Sequence, residues 1–214
     1  MAEQHDPRTV PRGRHAPPLE VRLTVQRRRL FEAAATVFAR VGYAEASAEA
    51  IAREAGMSKA TFYEHFANKE ECILALFDEA ATEVMRAMAG AATGDSGPYE
   101  DRIRANVSSF LEILTQYPES AQTLLVEIIG AGPRAMERRD AILDAFAQLV
   151  DAENKHAHEH FGVPRLKSPH DAFALVGAIA ELASRQVRLG RPADVHELEP
   201  VLERLIFGLL QQSR

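Results

Sequence analysis

Apolar side chains recur every three to four positions along almost the whole of this chain. That spacing is the period of an amphipathic helix, and no stretch shows the sustained alternation of apolar and polar residues that predicts a half-buried strand. Prolines and glycines interrupt the pattern, and each interruption is a place where one helix can end and another begin. The sequence therefore predicts an all-α fold of about nine helices.

Composition divides the chain into three parts. Residues 1–19 are rich in Pro, Arg and His and contain almost no large apolar side chain. Such a segment cannot bury enough surface to order itself. We therefore predict a flexible basic arm over residues 1–19, a small helical domain over residues 20–67 and a larger helical domain over residues 68–214.

Charge and cysteine content narrow the class of protein. The net charge is −6, yet residues 1–30 carry seven arginines against three carboxylates. That excess is typical of a nucleic-acid-binding arm, and a tail that charge keeps soluble is the alternative. The only cysteine, Cys72, fits a reducing compartment, and its place in an apolar helical stripe favours a buried structural thiol.

Neither a membrane segment nor a secretion signal is evident. No apolar run approaches the ~20 residues that span a bilayer. The N-terminus also lacks the apolar segment of a signal peptide. We expect a cytoplasmic protein with no membrane partner.

The stretch "AREAGMSKATFYEHFANK", residues 52–69, has the outline of a helix-turn-helix. Ser47 can cap the short helix that enters this stretch. Gly56 follows that helix, where a chain often needs a positive φ. Ser58 can then cap a second short helix, Lys59–Phe66. The alternative is two short helices that simply pack together and turn polar side chains to solvent.

Helical geometry sorts the side chains of this second helix. At 100° per residue, Phe62 and Phe66 form its buried face. The opposite face combines a small residue, hydroxyl groups and cations, which suits a helix lying in a DNA groove. Asn68 can cap the next helix, and Lys69 at its start could contact a phosphate.

The segment "RRRLFEAAATVFARVGYAEASAEAIAREAGMSKATFYEHFANKEECILALFD", residues 27–78, resembles the N-terminal DNA-binding domain of the TetR family of bacterial transcriptional regulators. The resemblance implies that Lys59–Phe66 is the recognition helix. It also implies base reading at the variable positions Ala60 and Glu64. The predicted DNA contacts are Ser47, Lys59, Ala60, Thr61, Tyr63, Glu64, His65 and Lys69.

The resemblance further implies a function. A TetR-like regulator, here expected to be a repressor, binds a palindromic operator in double-stranded DNA as a homodimer and is released by a small effector. The alternative is a helical dimeric interaction adaptor without sequence-specific DNA binding. Glu64 would favour the adaptor, because a carboxylate repels phosphates unless it accepts a hydrogen bond from cytosine N4. No catalytic motif is present, so we expect neither enzymatic activity nor a cofactor.

The larger domain supplies more apolar side chains in its middle helices than one core face requires, which suggests a binding site for a mostly hydrophobic effector. A plain hydrophobic core is the alternative. Glu127 is expected to lie at the edge of this site and to meet a donor or cation of the ligand. The predicted effector-pocket residues are Phe77, Met85, Met88, Phe110, Leu114, Tyr117, Leu124, Glu127, Ile128 and Phe146.

The last two helices are expected to join two subunits as a four-helix bundle. Their apolar residues cover more than one face, so one side can pack on the subunit and the other needs a partner. The predicted interface residues are Phe173, Leu182, Leu198, Leu202, Leu205 and Leu209. His156 and His160, four apart, could share a metal ion if a third ligand were near, but a solvated polar helix end is favoured, and no metal is expected.

Overall fold

The computed structural model describes residues 18–93 and 98–211, with side chains described for residues 18–86 and 98–211. Within these ranges the protein contains nine α-helices and no strand, which confirms the predicted all-α class. The helices are α1 (Leu19–Glu45), α2 (Ala48–Glu54), α3 (Lys59–His65), α4 (Lys69–Thr93), α5 (Tyr99–Gln116), α6 (Pro118–Leu125), α7 (Pro133–Phe161), α8 (Pro169–Leu189) and α9 (Glu199–Gln211).

The predicted capping residues start several of these helices. The Oγ atoms of Ser47 and Ser58 accept hydrogen bonds from Ala50 N and Thr61 N at the starts of α2 and α3. Asn68 Oδ1 accepts from Glu71 N at the start of α4. Each cap satisfies one backbone donor that has no partner inside the helix, so the polar residues of the sequence fix where these helices begin.

Two breaks in helical backbone lie close together. Gly42 has φ 78° and ψ 159°, so α1 kinks there before its last turn. The helical segment that begins at Pro118 is also interrupted: α6 ends at Leu125, and a 3-10 turn covers Glu127–Gly130. Hydrophobic periodicity alone did not reveal this second break, because apolar residues continue through it.

The core of the N-terminal helices continues into the larger domain. Leu30, Phe38, Ile51 and Phe62 are fully buried in one cluster. Ile128, from the turn after α6, is fully buried in the same cluster. The helix-turn-helix, called the head below and covering residues 19–67, therefore packs directly against the remaining helices, called the body.

A second cluster holds the body together around α5, α8 and α9. Val107 and Leu111 pack with Ala183 and with the segment before and within α9. Leu198 and Leu202, predicted at the dimer interface, belong to this cluster and are only 7% and 1% exposed. The prediction for these two leucines is wrong, since their side chains already fill the interior of the subunit.

The start of α1 bears on the predicted N-terminal arm, and the composition of the helices bears on membrane spanning. α1 begins at Leu19, the last position of the predicted arm, while residues 1–17 lie outside the described ranges. No described helix is long and apolar enough to cross a membrane.

Candidate nucleic-acid interface and internal cavity

The turn between α2 and α3 is tight and fixed by backbone hydrogen bonds. Gly56 has φ 65°, a conformation that favours glycine. Met57 N donates to Ala52 O over 2.8 Å, and Arg29 from α1 donates to Ala55 O over 2.8 Å. The two short helices are thus held in one arrangement against α1, which gives α3 a defined orientation.

The predicted buried face of α3 is confirmed. Phe62 is fully buried and Phe66 nearly so. The centres of these two rings are 5.5 Å apart, and the Phe31 ring on α1 lies 5.6 Å from that of Phe66. Because three aromatic rings fasten α3 to the head core, its other face must point away from the protein.

The outward face of α3 carries the residues predicted to meet DNA. Lys59, Ala60 and Glu64 are exposed, and half of Tyr63 is exposed. The hydroxyl groups of Thr61 and Ser58 lie 3.0 Å apart. The structure therefore brings a cation, a methyl, a phenol and a carboxylate together on one solvent-facing surface at the end of the molecule formed by the head.

His65 lies at the edge of this surface and is less exposed than its neighbours. Its Nε2 is 3.4 Å from Gln26 Oε1 on α1. Burial and then the positive charge of Arg27 lower the pKa of His65 from 6.5, and the Glu64 carboxylate opposes them. The neutral imidazole is consequently favoured near neutral pH when no DNA is bound.

Lys69 has partners that the sequence did not indicate. Its ammonium donates to three backbone carbonyls, those of Tyr43, Ala44 and Ala46, at 2.8, 2.9 and 2.9 Å. An ammonium has three N–H donors, so all of them are used inside the subunit. The Lys69 ammonium thus closes the end of α1 when no DNA is bound, and its phosphate contact stays a prediction.

A cavity of about 1050 Å³ lies between the head and the body. Its wall is mostly apolar and draws on α1, α4, α5, α6, α7, α8 and α9. Pockets for drug-sized ligands are commonly about 300–1,000 Å³, so the volume is large enough for an extended molecule. The predicted pocket residues that line it are Phe77, Phe110, Leu114, Tyr117, Leu124 and Phe146.

Three of the predicted pocket residues do not line this cavity. Ile128 is buried in the head cluster. Glu127 accepts hydrogen bonds from Tyr43 N at 2.8 Å and Gln122 Nε2 at 3.0 Å. Met85 is half-buried on α4 but does not contribute to the wall. Met88 lies outside the residues whose side chains are described. The predictions for Glu127 and Ile128 failed because the helix break before them turns both side chains toward the head.

Sequence reasoning missed the contribution of α1 to the cavity. Five head residues line it: Thr24, Arg27, Arg28, Phe31 and Glu32. α1 spans 27 residues, and the five lining residues lie in its N-terminal half. The cavity therefore touches the head directly.

The remaining predicted interface residues lie on α8 and α9. Phe173 is 42% exposed and Leu205 37% exposed. Leu182 and Leu209 are partly buried against the body core. Gly177 and Gly208 are helical, and an added Cβ at either would meet no atom within 4 Å. α8 and α9 thus keep exposed apolar side chains outside the subunit core, and their glycines leave room for another helix to come close.

The histidines at the end of α7 interact with one another and with backbone. The rings of His156 and His160 stack with centres 4.1 Å apart, and His160 Nδ1 is 2.9 Å from His156 O. His158 Nδ1 is 2.7 Å from Val163 O. Over the described residues, no group of three or more His, Cys, Asp or Glu is placed to hold a metal ion.

Cys72 is fully buried, as the apolar stripe predicted. Burial raises the pKa of its thiol to about 12, with the charge of Arg27 opposing that rise. A thiol with so high a pKa stays protonated near neutral pH and is a poor nucleophile. Cys72 fills part of the core that the head shares with the body.

Comparison with known proteins identifies the head. Residues 30–76 match the family model described as bacterial regulatory proteins, tetR family, which confirms the predicted resemblance. The matched segment contains α2, α3 and the Gly56 turn. The head is accordingly similar to the corresponding segment of bacterial regulatory proteins of the tetR family.

Solved structures extend the likeness to the body. The fatty acid degradation regulator FadR from Bacillus halodurans is 20% identical with a TM-score of 0.76, covering 86% of this chain and 94% of its own. FadR from Bacillus subtilis, solved in complex with stearoyl-CoA, is 21% identical with a TM-score of 0.75, covering 85% and 98%. A TetR-like regulator from Rhodococcus sp. RHA1 is 26% identical with a TM-score of 0.60, covering 86% and 94%. Over most of its length, the described fold is therefore similar to the folds of these regulators.

Proposed function

We propose that this protein is a ligand-responsive repressor that binds a palindromic DNA operator as a homodimer. The outward face of α3 carries this proposal. Its buried face is fastened by Phe62 and Phe66, which leaves Ala60, Tyr63 and Glu64 on a surface able to enter a major groove. Two heads in one dimer would read two half-sites, so the operator should be palindromic.

The effector we propose is an extended, mostly apolar molecule with an anionic end, such as a long-chain fatty acyl compound. The cavity has the volume for an acyl chain and a mostly apolar wall. Arginines at positions 27, 28, 102 and 139 contribute to the same wall. A protein of similar fold, FadR from Bacillus subtilis, was solved with stearoyl-CoA, which supports this class of ligand.

Release of DNA would follow from unequal affinity of the effector for two arrangements of the head. A ligand shifts such an equilibrium only as far as its affinities for the two states differ. The cavity wall includes residues of α1, so a bound molecule would contact the head as well as the body. Coupling between effector and operator is expected to be about 1–3 kcal/mol.

The test begins with selection of bound fragments from random DNA. A recovered palindrome is expected, and operator affinity measured by fluorescence anisotropy should fall when stearoyl-CoA is added. Binding without any sequence preference, lost at modest salt, would instead identify the interaction adaptor. A palindrome that stays bound at every stearoyl-CoA concentration would leave the DNA-binding proposal standing and refute the proposed class of effector.

A further inference from the structure

Arg27 belongs to the head and to the cavity at once. It lies on α1, lines the cavity and is exposed, so the cavity reaches solvent at this point. Its guanidinium carbon is 4.9 Å from the centre of the Phe31 ring and 5.0 Å from that of Phe66. A planar cation over two aromatic faces is held by cation–π attraction.

Phe66 connects this cation to the recognition helix. It is the residue at which α3 ends, and its N–H closes the last turn by donating to Phe62 O over 2.9 Å. Its ring also packs against Phe62, which anchors α3 in the head core. Any change in the position of the Arg27 side chain is therefore felt at the end of α3.

The charges around Arg27 leave it available to a ligand. Arg28 is 3.7 Å from the Glu32 carboxylate, and Arg139 is 3.9 Å from that of Asp140. Glu83, a carboxylate that α4 contributes to the cavity wall, pairs with Arg86 on the same helix. Over the described part of the chain, no carboxylate lies within ion-pair distance of Arg27.

We infer that Arg27 binds the anionic end of the effector and that this contact draws its guanidinium away from Phe66, loosening the end of the recognition helix. The inference rests on the proposed function, because it requires an effector in this cavity. A hydrogen-bonded guanidinium–anion pair is stronger than an exposed cation–π contact, so an anion at the cavity entrance competes successfully for Arg27.

The experiment compares three compounds that share one acyl chain length and differ at the end: stearoyl-CoA, stearate and stearyl alcohol. The measured quantity is the ratio of operator Kd with and without each compound, since this ratio is independent of how a variant binds DNA by itself. For the wild type, the two anionic compounds should raise the ratio well above that for the alcohol. A response to stearoyl-CoA alone would assign the recognised anion to phosphate, and a response to both would include the carboxylate.

The variant is Arg27→Ala, and the control is Arg53→Ala, which removes an exposed arginine of the head that does not line the cavity. In Arg27→Ala, the effect of the anionic compounds should fall roughly 10- to 100-fold, the range for a lost hydrogen bond to a charged group, and should match that of the alcohol. Arg53→Ala should stay close to the wild type.

The possible results separate this inference from the function on which it rests. A wild type that keeps its operator in all three compounds overturns this inference and the proposed class of effector, and leaves the DNA-binding proposal standing. A wild type that responds to the anions, with Arg27→Ala responding equally, overturns the role of Arg27 alone. Should Arg27→Ala lose operator binding altogether, direct calorimetric titration without DNA decides: a retained preference for stearate over stearyl alcohol overturns the inference, and a lost preference supports it.

Discussion

The backbone N–H of Tyr43, just beyond the kink in α1, donates a 2.8 Å hydrogen bond to Glu127 Oε2 in the turn after α6. The other oxygen of that carboxylate accepts from Gln122 Nε2 on α6. α6 also supplies Leu124 to the cavity wall. One carboxylate therefore joins the helix that faces the cavity to the helix that supports the head.

Glu127→Ala should lower the free energy of unfolding by about 1–3 kcal/mol, because it leaves a partly buried backbone N–H without its acceptor. Glu127→Gln keeps an acceptor oxygen and should lose less. The control is Glu137→Ala on the exposed face of α7, expected within about 0.5 kcal/mol of wild type. Urea denaturation measures all three. Equal losses for Glu127→Ala and Glu137→Ala would show that the bond contributes nothing.

Substitutions of Lys69 and Lys59 should have opposite effects on stability and on the salt dependence of operator binding. Lys69→Met removes the donor of three carbonyls and should cost about 1.5–3 kcal/mol of stability, while leaving the salt dependence of operator binding unchanged. Lys59→Met removes an exposed cation beside the recognition surface and should leave stability nearly unchanged, while flattening the salt slope by up to about 0.9. A flatter dependence of operator affinity on salt for Lys69→Met would instead support the phosphate contact predicted from the sequence.

The part of the site that the sequence predicted is the part encoded locally. Ser58, Gly56 and the Phe62–Phe66 spacing define a cap, a turn and a buried face within a few residues, so the orientation of α3 followed from helical geometry. The contacts of Lys69 and Glu127 within the subunit were missed for the opposite reason. The carbonyls that accept from Lys69 lie 23 to 26 residues away along the chain, and Tyr43, one of the two donors to Glu127, lies 84 residues away. No local pattern reports contacts over such separations.

The sequence also did not show which residues of the body helices face the subunit core. Leu198, Leu202, Leu205 and Leu209 repeat at regular spacing, and the sequence could not say which of them face inward. The structure places Leu198 and Leu202 in the core because α5 packs there, whereas Leu205 points outward. Likewise, the apolar excess in the middle helices predicted a cavity, but only the packing of α1 over it brought Arg27 and Phe31 into the wall.

Substitutions on the outward face of α3 should separate affinity from base preference. Tyr63→Ala should weaken binding to every duplex, because it removes contact area without altering base reading. Changes at Ala60 or Glu64 should alter which bases are preferred, by about 1–3 kcal/mol per good contact. Tyr63→Phe tests whether the hydroxyl matters. Anisotropy on the selected operator and on single-base variants measures each case, and unchanged affinity in all of them would exclude α3 from the interface.

His65 should make stability depend on pH. Burial and the Arg27 charge hold its folded pKa below 6.5, so the unfolded chain takes up the proton first as pH falls. Stability is therefore lost as pH drops below 6.5 toward the folded pKa. The melting temperature of the wild type minus that of His65→Gln should be smaller at about pH 5.5 than at about pH 7.5. Arg27→Ala should raise the pKa of His65, which NMR titration detects. An identical pH profile for wild type and His65→Gln would contradict this assignment.

The proposed dimer predicts where a charge is not tolerated. Phe173 and Leu205 keep large exposed fractions on α8 and α9, and Gly177 and Gly208 stand in these helices although nothing in the subunit fills the space beside them. A glycine inside a helix costs about 1 kcal/mol relative to alanine, so close approach of a second copy would account for both positions.

Leu205→Glu should place a carboxylate in that contact and convert a dimer to monomers in sedimentation at micromolar concentration. Ile129→Glu, which alters an apolar residue of similar exposure outside α8 and α9, is the control and should remain dimeric. Because two half-sites are bound together only by a dimer, Leu205→Glu should also lose operator affinity more than affinity for a single half-site. A wild type that sediments as a monomer, or a Leu205→Glu variant that stays dimeric, would exclude this face as the interface.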